Sequence, residues 1–353
     1  MKQRWIKYLL YSITVLVVSG FALFLIQLGY SYSWTGFGEF TLTNPDAVRS
    51  KTLWDWMELL IVPLVLAGGA FFLNRSERNT EREISTDRQQ EAALQIYFDR
   101  MSELLLKEKL RTTKKEEIRD IARTRTVSIL RILNTRRNNL VIQFLREAKL
   151  ITNEKSILYQ ADMQGMDLRE INIGGVYLNG ANLESANLER ARLTNANLVG
   201  AILAFVNFEQ AHLDGANLEQ AVIANATLKN TLMFEVNLGR ASLFGSDLRG
   251  AHLYDADLSN ANLDHANLEK ASIAHARLKG ASLSEANLSG ASLFGSDLSN
   301  ADLSNADLKG TDLKDANLSG ANLKGAKNVT EKQLATTKSL TRAILPDGTK
   351  HRI

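Results

Sequence analysis

The chain has 353 residues, of which 45% are hydrophobic and 23% charged, and it contains no cysteine. That composition is of an ordinary folded protein, and the missing cysteines exclude disulfides, thiolate nucleophiles and cysteine-held metals. The net charge of +3 hides a division: residues 1–160 carry 24 basic and 17 acidic residues, 161–325 carry 12 and 20, and 326–353 carry 6 and 2.

From Tyr8 to Tyr30 there are 23 residues without a charge. As a helix they would measure roughly 34 Å, against about 30 Å of bilayer hydrocarbon. The run is too long for the apolar core of a signal peptide and no A-x-A-like site follows it, so it reads as a membrane span. A second apolar segment lies at 53–73, but its uninterrupted part begins only at Leu59 and would cover roughly 22 Å. Trp54 and Trp56 suit a membrane interface, and Asp55 and Glu58 beside them read as solvated carboxylates. Lys2, Arg4 and Lys7 precede the first segment, Arg49 and Lys51 lie between the two, and Arg75, Arg78 and Arg82 follow the second. By the positive-inside rule both termini are then cytoplasmic. The expectation is a membrane hairpin over 1–73, with spans at about 8–30 and 53–73, in a multi-pass protein of an inner (plasma) or thylakoid-type membrane.

Residues 74–160 read as a basic α-helical segment. Leu94, Phe98, Met101 and Leu105 share one helical face, and Ile118, Ala122, Ile129 and Leu133 another. Between Arg111 and Lys149 lie eleven basic residues and four acids. Arg123, Arg125, Arg131, Arg136 and Arg137 are the candidates for contact with anionic lipid, at about 1 kcal/mol each near a membrane surface. A solvated helix face is the competing reading. No nucleic-acid-binding motif occurs, and nucleic acid is not an expected partner.

From Ala161 to Gly325, 33 pentapeptides follow without a change of frame. Their third residue is always apolar and is Leu in 27; the first is Ala in 24; the second is Asn or Asp in 20. A period of five fits neither a helix nor a simple strand, and implies a coil that returns to an equivalent environment every five residues. Positions one and three would point inward, and each buried Leu would stabilise the coil by about 1.5–3 kcal/mol before entropy is counted.

These residues resemble the pentapeptide-repeat family, whose motif is A(D/N)LXX. The resemblance implies an all-β solenoid, a right-handed quadrilateral β-helix with four pentapeptides per coil. At about 4.8 Å per coil, about eight coils would make a rod about 40 Å long. The stretches "KTLWDWMELLIVPLVLAGGAFFLNRSER", "EAALQIYFDRMSELLL" and "ARTRTVSILRIL" resemble the leader of membrane-anchored pentapeptide-repeat proteins of photosynthetic bacteria. The implied fold is thus a β-solenoid preceded by an α-helical membrane hairpin and a cytoplasmic helical segment. In the first coil Met166, Ile171 and Val176 replace Ala, as a capped end requires. Residues 326–353 read as a capping helix and tail: Thr330 and Gln333 match a capping box, and "LPDG" at 345–348 a turn.

Twenty residues per coil makes the surface readable from residue numbers. The faces centred on Leu183, Leu188, Leu193 and Leu198 carry five acids and one base, seven and six, five and two, and three and three. Quinolone-resistance members of the family mimic DNA, which calls for concentrated acidic surface, and no single face here supplies it. Inhibition of a topoisomerase or other DNA-binding protein is therefore the alternative reading. The Leu193 face gathers Phe234, Tyr254 and Phe294 with His212, His252 and His275, and Phe234, Tyr254, Phe294 and His252 form a candidate docking surface for an unidentified protein partner. The expectation is a non-catalytic interaction or scaffold protein with no cofactor, metal or catalytic residues, because the five histidines do not converge and no phosphate-binding loop occurs. The resemblance implies a homodimer formed through a rod end, with the terminal helix as the element that competes for that contact. The octapeptide "ASLFGSDL" occurs at 241–248 and 291–298, fifty residues apart, which places its copies on opposite faces.

Overall fold

A computed structural model describes residues 53–351. The expected span at 8–30 and the basic residues that precede it lie outside the described residues. The chain divides into two compact units, Met1–Asp87 and Arg88–Ile353. The first contributes residues 53–87 of helix α1 (Leu53–Leu106).

Among the described residues no helix is long and apolar enough to cross a membrane. The segment at 53–73 is the opening of the 54-residue α1, and Arg75, Arg78, Glu81 and Arg82 follow in the same helix. Its uninterrupted apolar part falls short of the roughly 30 Å a span needs. The expected multi-pass membrane location, with cytoplasmic placement of both termini, is corrected accordingly.

In the second unit the end of α1 packs with α2 (Glu116–Ile132) and α3 (Thr135–Glu147). Glu116 and Glu117 open α2 and Arg131 closes it, matching the signs of the helix dipole. The Asn134 side chain caps α3 by accepting the Arg137 N–H at 3.0 Å. Leu94, Met101, Ile118, Ala122, Ile129, Val141, Ile142 and Leu145 are buried between the helices. The expected face of α1 is partly revised: Phe98 and Leu105 are half-buried, while Tyr97 lies inside. The Tyr97 hydroxyl stands 2.9 Å from Thr126 Oγ1. Burial holds its pKa well above the ordinary tyrosine range, an effect the Thr126 hydrogen bond only partly offsets.

The repeats form the solenoid. Parallel bridges join second-position residues twenty apart, from Asp162↔Asn182 through Asp307↔Lys327, giving four ladders and a four-sided coil. Each letter of the repeat has a physical task. Residues one and three are buried along the whole length. The third-position N–H donates to the next coil, as Leu183 N does to Ile202 O at 2.8 Å, and the second-position N–H donates to the previous one, as Asn182 N does to Ala161 O at 2.9 Å. A second-position Asn or Asp accepts the N–H two residues on, as Asn187 Oδ1 does from Glu189 at 3.1 Å. Residue five turns the corner with positive φ. Where Ala at position one becomes Thr231 or Ser246, the buried hydroxyl donates to a backbone carbonyl, Phe208 O at 2.9 Å or Ile223 O at 2.7 Å.

The first coil would leave a row of carbonyls unpaired, the usual liability of a sheet edge. The helical segment satisfies five of them. Arg131 donates to Asp162 O and Gln164 O, Thr135 to Arg169 O, and Arg146 to Asn172 O and Gly174 O. Met166, Ile171 and Val176 are buried beneath this cap. At the other end Thr330 and Gln333 form a capping box on helix α4 (Glu331–Ala335). Gln333 Nε2 also donates to Leu308 O and Thr311 O, both at 2.9 Å. The ladder resumes beyond α4 with Asn317↔Ser339 and Asn322↔Ile344, and an antiparallel Ile344↔Lys350 pair follows the turn at Gly348, whose φ is +84°.

Candidate protein-docking face

The Leu193 face carries its aromatic side chains in the fourth position of the repeat, where they stand clear of the coil. Phe234 and Tyr254 are 40% and 42% exposed. The Phe234 and His252 rings lie 5.9 Å apart and tilted by 34°. Tyr254 and Phe294 sit two coils apart and are joined by His275, whose ring makes edge contacts with both, at 5.3 and 5.2 Å. Lys314 Nζ lies 5.7 Å from the centre of the Phe294 ring. The four residues predicted for this face are therefore held as one pair, Phe234–His252, and one run, Tyr254–His275–Phe294–Lys314. His275 is the residue that completes the run. Its place depends on Gly295, where a Cβ would come within 2.9 Å of the imidazole.

The Leu183 face holds an apolar patch that charge counting passes over. Ile202 and Val222 pair in one ladder, and with Phe205 and Phe244 they remain exposed. Phe244 meets His265 edge-on at 5.2 Å, and His265 Nδ1 lies 3.4 Å from a Glu285 carboxylate oxygen. Phe205, 58% exposed, has φ +58°. The left-handed region costs a residue with a Cβ about 1–2 kcal/mol.

Two acidic groups on the other faces are paired with bases. Asp247 lies 2.8 Å from Arg249 and 3.1 Å from Lys229. Burial pushes its carboxyl up, but Arg249 and Lys229 together outweigh burial and hold it below the usual carboxylate range. Asp257 stands 3.1 Å from Arg277.

Of the five arginines expected to meet lipid, three are engaged within the protein. Arg123 donates to Ile157 O at 3.1 Å, Arg131 holds the edge carbonyls described above, and the buried Arg137 binds Glu91 and Gln90. Arg125 and Arg136 are exposed. Among the described residues no group of His, Asp or Glu is placed to hold a metal ion.

The family model described as Pentapeptide repeats matches in eight copies spanning residues 172–327. The chain belongs to the pentapeptide-repeat family. Solved structures of similar proteins include HetL, a pentapeptide-repeat protein involved in heterocyst differentiation regulation in the cyanobacterium Nostoc sp. strain PCC 7120. It is 29% identical, over 59% of this chain and 98% of its own, with a TM-score of 0.28. The pentapeptide-repeat protein alr5209 of Nostoc PCC 7120 is 35% identical over 26% of this chain and 82% of its own, with a TM-score of 0.23. QnrB1, a plasmid-mediated fluoroquinolone resistance protein, is 23% identical over 44% of this chain and 77% of its own, with a TM-score of 0.38. No curated protein matches the chain.

Measured against the pentapeptide-repeat motif, the loss of Asn or Asp at position two is unevenly distributed. On the Leu193 face six of eight such positions depart, at Arg192, His212, Leu232, His252, Ser272 and Ser292. On the Leu183 face Ile202, Val222, Ser242 and Ser282 depart, and the remaining two faces have only Tyr177, Thr227 and Arg277. A departure removes the usual acceptor from its own turn, and at Leu232 and Ser282 a carboxylate of the previous coil, Asp214 or Asp264, accepts the turn N–H instead. Local rules broken in one place are where function is to be sought.

Proposed function

We propose that this pentapeptide-repeat protein is a non-catalytic interaction or scaffold protein that docks a protein partner on the Leu193 face of its solenoid. The observation that carries the reading is the ring run Tyr254–His275–Phe294, exposed at Tyr254 and His275 and half-buried at Phe294, with Phe234 and His252 beside it. Aromatic anchors supply most of the energy at many protein interfaces. Here neighbouring rings already restrain one another, so binding orders few additional side chains. The hydrogen-bonded coils beneath fix the spacing of the anchors. The carboxylates of the solenoid are distributed along its outer wall and its buried hydroxyls at Thr231 and Ser246 are bonded to backbone carbonyls, which supports a non-catalytic role. The alternative, mimicry of DNA, calls for a concentrated acidic surface, whereas Asp247 and Asp257 are paired with bases.

Crosslinking capture with the full chain tests the docking face. Tyr254→Ala and Phe294→Ala are each expected to lose the partner that the unsubstituted chain captures, while Lys309→Ala, on the Leu188 face, retains it. Equal capture by all the variants removes the Leu193 face from consideration. A captured protein that duplex DNA displaces, whatever the state of Tyr254, would put DNA mimicry in its place.

A further inference from the structure

Apart from the aromatic run, a cleft of about 770 Å³ lies where α3 meets the first coils. α3 contributes Arg146; the corner of the coil contributes Glu170 and Arg190; the second-position ladder of the Leu193 face contributes Arg192 and His212. The lining carries three guanidiniums against one carboxylate, in a solenoid whose residues 161–325 hold 12 basic and 20 acidic side chains. A local excess of positive charge against an acidic background is the opposite of what composition alone would place there.

Arg146 and Arg192 are held in ways that keep their charge available, and Arg190 shares its charge with one carboxylate. Arg146 Nη2 donates to two neutral carbonyls, Asn172 O and Gly174 O. Arg190 Nε donates to the amide oxygen of Gln210 at 3.0 Å, with the Glu189 carboxylate further off at 3.7 Å. Arg192 stands where the repeat normally has an Asn or Asp, is exposed, and has no side-chain partner among the described residues. Neutral acceptors orient a guanidinium without neutralising it, and its planar fork fits a phosphate through two parallel hydrogen bonds.

We infer that this cleft binds a small polar molecule carrying two or more phosphates. The volume falls within the range of small-ligand sites, about 300–1,000 Å³. The lining is polar and charged, which excludes an apolar ligand. Before His212 is counted, the lining of three arginines and Glu170 has a surplus of two positive charges, matching a ligand with at least two phosphate charges.

The test is calorimetric titration of the full chain with inorganic tripolyphosphate at a constant ionic strength of about 0.15 M, so that general screening is held fixed. One saturable site is expected, weakened about tenfold or more in Arg192→Gln and in Arg190→Gln, and unchanged in Lys309→Gln. Arg192 has no partner to lose, so its variant should unfold at the unsubstituted temperature. Citrate, a polyanion without phosphate, is expected to bind at least about tenfold more weakly. Absence of a saturable site, equal weakening in Lys309→Gln, or citrate binding as tight as tripolyphosphate would overturn the assignment.

Discussion

Phe208→Ala tests whether the solenoid behaves as a stack of coils that each answer to their neighbours. Phe208 is the largest of the fully buried side chains and has no solvent exposure. It stands in a third position, between Leu188 and Leu228 of the adjoining coils, both of which are also buried. Removing the ring leaves a void walled by those leucines, a change that costs about 3–5 kcal/mol when a core cannot collapse around it. Coils in a solenoid contact only their immediate neighbours, so the loss should concentrate in the coils from about Leu188 to Leu228. At about 1.4 kcal/mol per factor of ten, amide-exchange protection there should fall by roughly two to three and a half orders of magnitude. The reporters are the Asn207 N–H, bonded to Ala186 O at 3.0 Å, and the Leu228 N–H, bonded to Asp247 O at 2.7 Å. Amides near Leu303 should keep their original protection. Phe208→Leu restores the commonest third-position residue and should cost under about 1.5 kcal/mol. Hydrogen–deuterium exchange read by mass spectrometry on the full chain resolves these segments. A loss of less than tenfold around Leu228, or an equal loss along the whole rod, would refute the nearest-neighbour reasoning.

Phe205→Gly relieves a left-handed φ at an exposed side chain and, after the added freedom of the unfolded chain is subtracted, should stabilise the protein by about 1 kcal/mol. A lower melting temperature would mean that the ring makes contacts worth more than its strain. The Asp247 carboxyl is held below its ordinary range in the folded state, so its ionisation contributes stability above the unfolded pKa of about 3.9 and loses it as pH falls through the depressed value. The stability gap between the unsubstituted chain and Asp247→Asn should accordingly be constant near neutrality and close on acidification below about pH 4. A gap that persists undiminished at about pH 2 would rule out the Arg249 and Lys229 pairing as its source.

The solenoid is readable from the letters because each position of the pentapeptide has one job that the backbone repeats: a small interior residue, a turn acceptor, a core Leu, then a corner. The helical cap is harder. Arg131 and Arg146 look like members of an undirected basic run until the first coil exists, since the carbonyls they serve at Asp162, Gln164, Asn172 and Gly174 become an edge only on folding. The aromatic run is half legible. Counting in steps of twenty places His275 on the same face as Tyr254 and Phe294, but does not show that from the fifth position its ring reaches both of theirs in the fourth. On the Leu183 face the signal was present as Ile202 and Val222 in place of Asn or Asp, and a census of charge does not register an apolar substitution. At 53–73 apolar character was plain, and length decided the outcome: the uninterrupted part is too short for a span, and α1 runs on into charged sequence.

The ladder that joins each residue to its partner twenty positions away makes the solenoid sensitive to the length of an insertion as well as to its content. Five added residues of consensus sequence leave every coil's interior intact and rotate everything after them by a quarter turn. The two copies of "ASLFGSDL" show the result for fifty residues: Phe244 meets His265 of the following coil on one side, and Phe294 meets His275 of the preceding coil on the opposite side. Duplication of a short segment can therefore carry an outward-facing aromatic side chain to a different side of the molecule, where it meets a different neighbour, while the core stays the same. In such a chain, gain or loss of a few repeats changes which side chains share a face, and multiples of twenty residues alone preserve them.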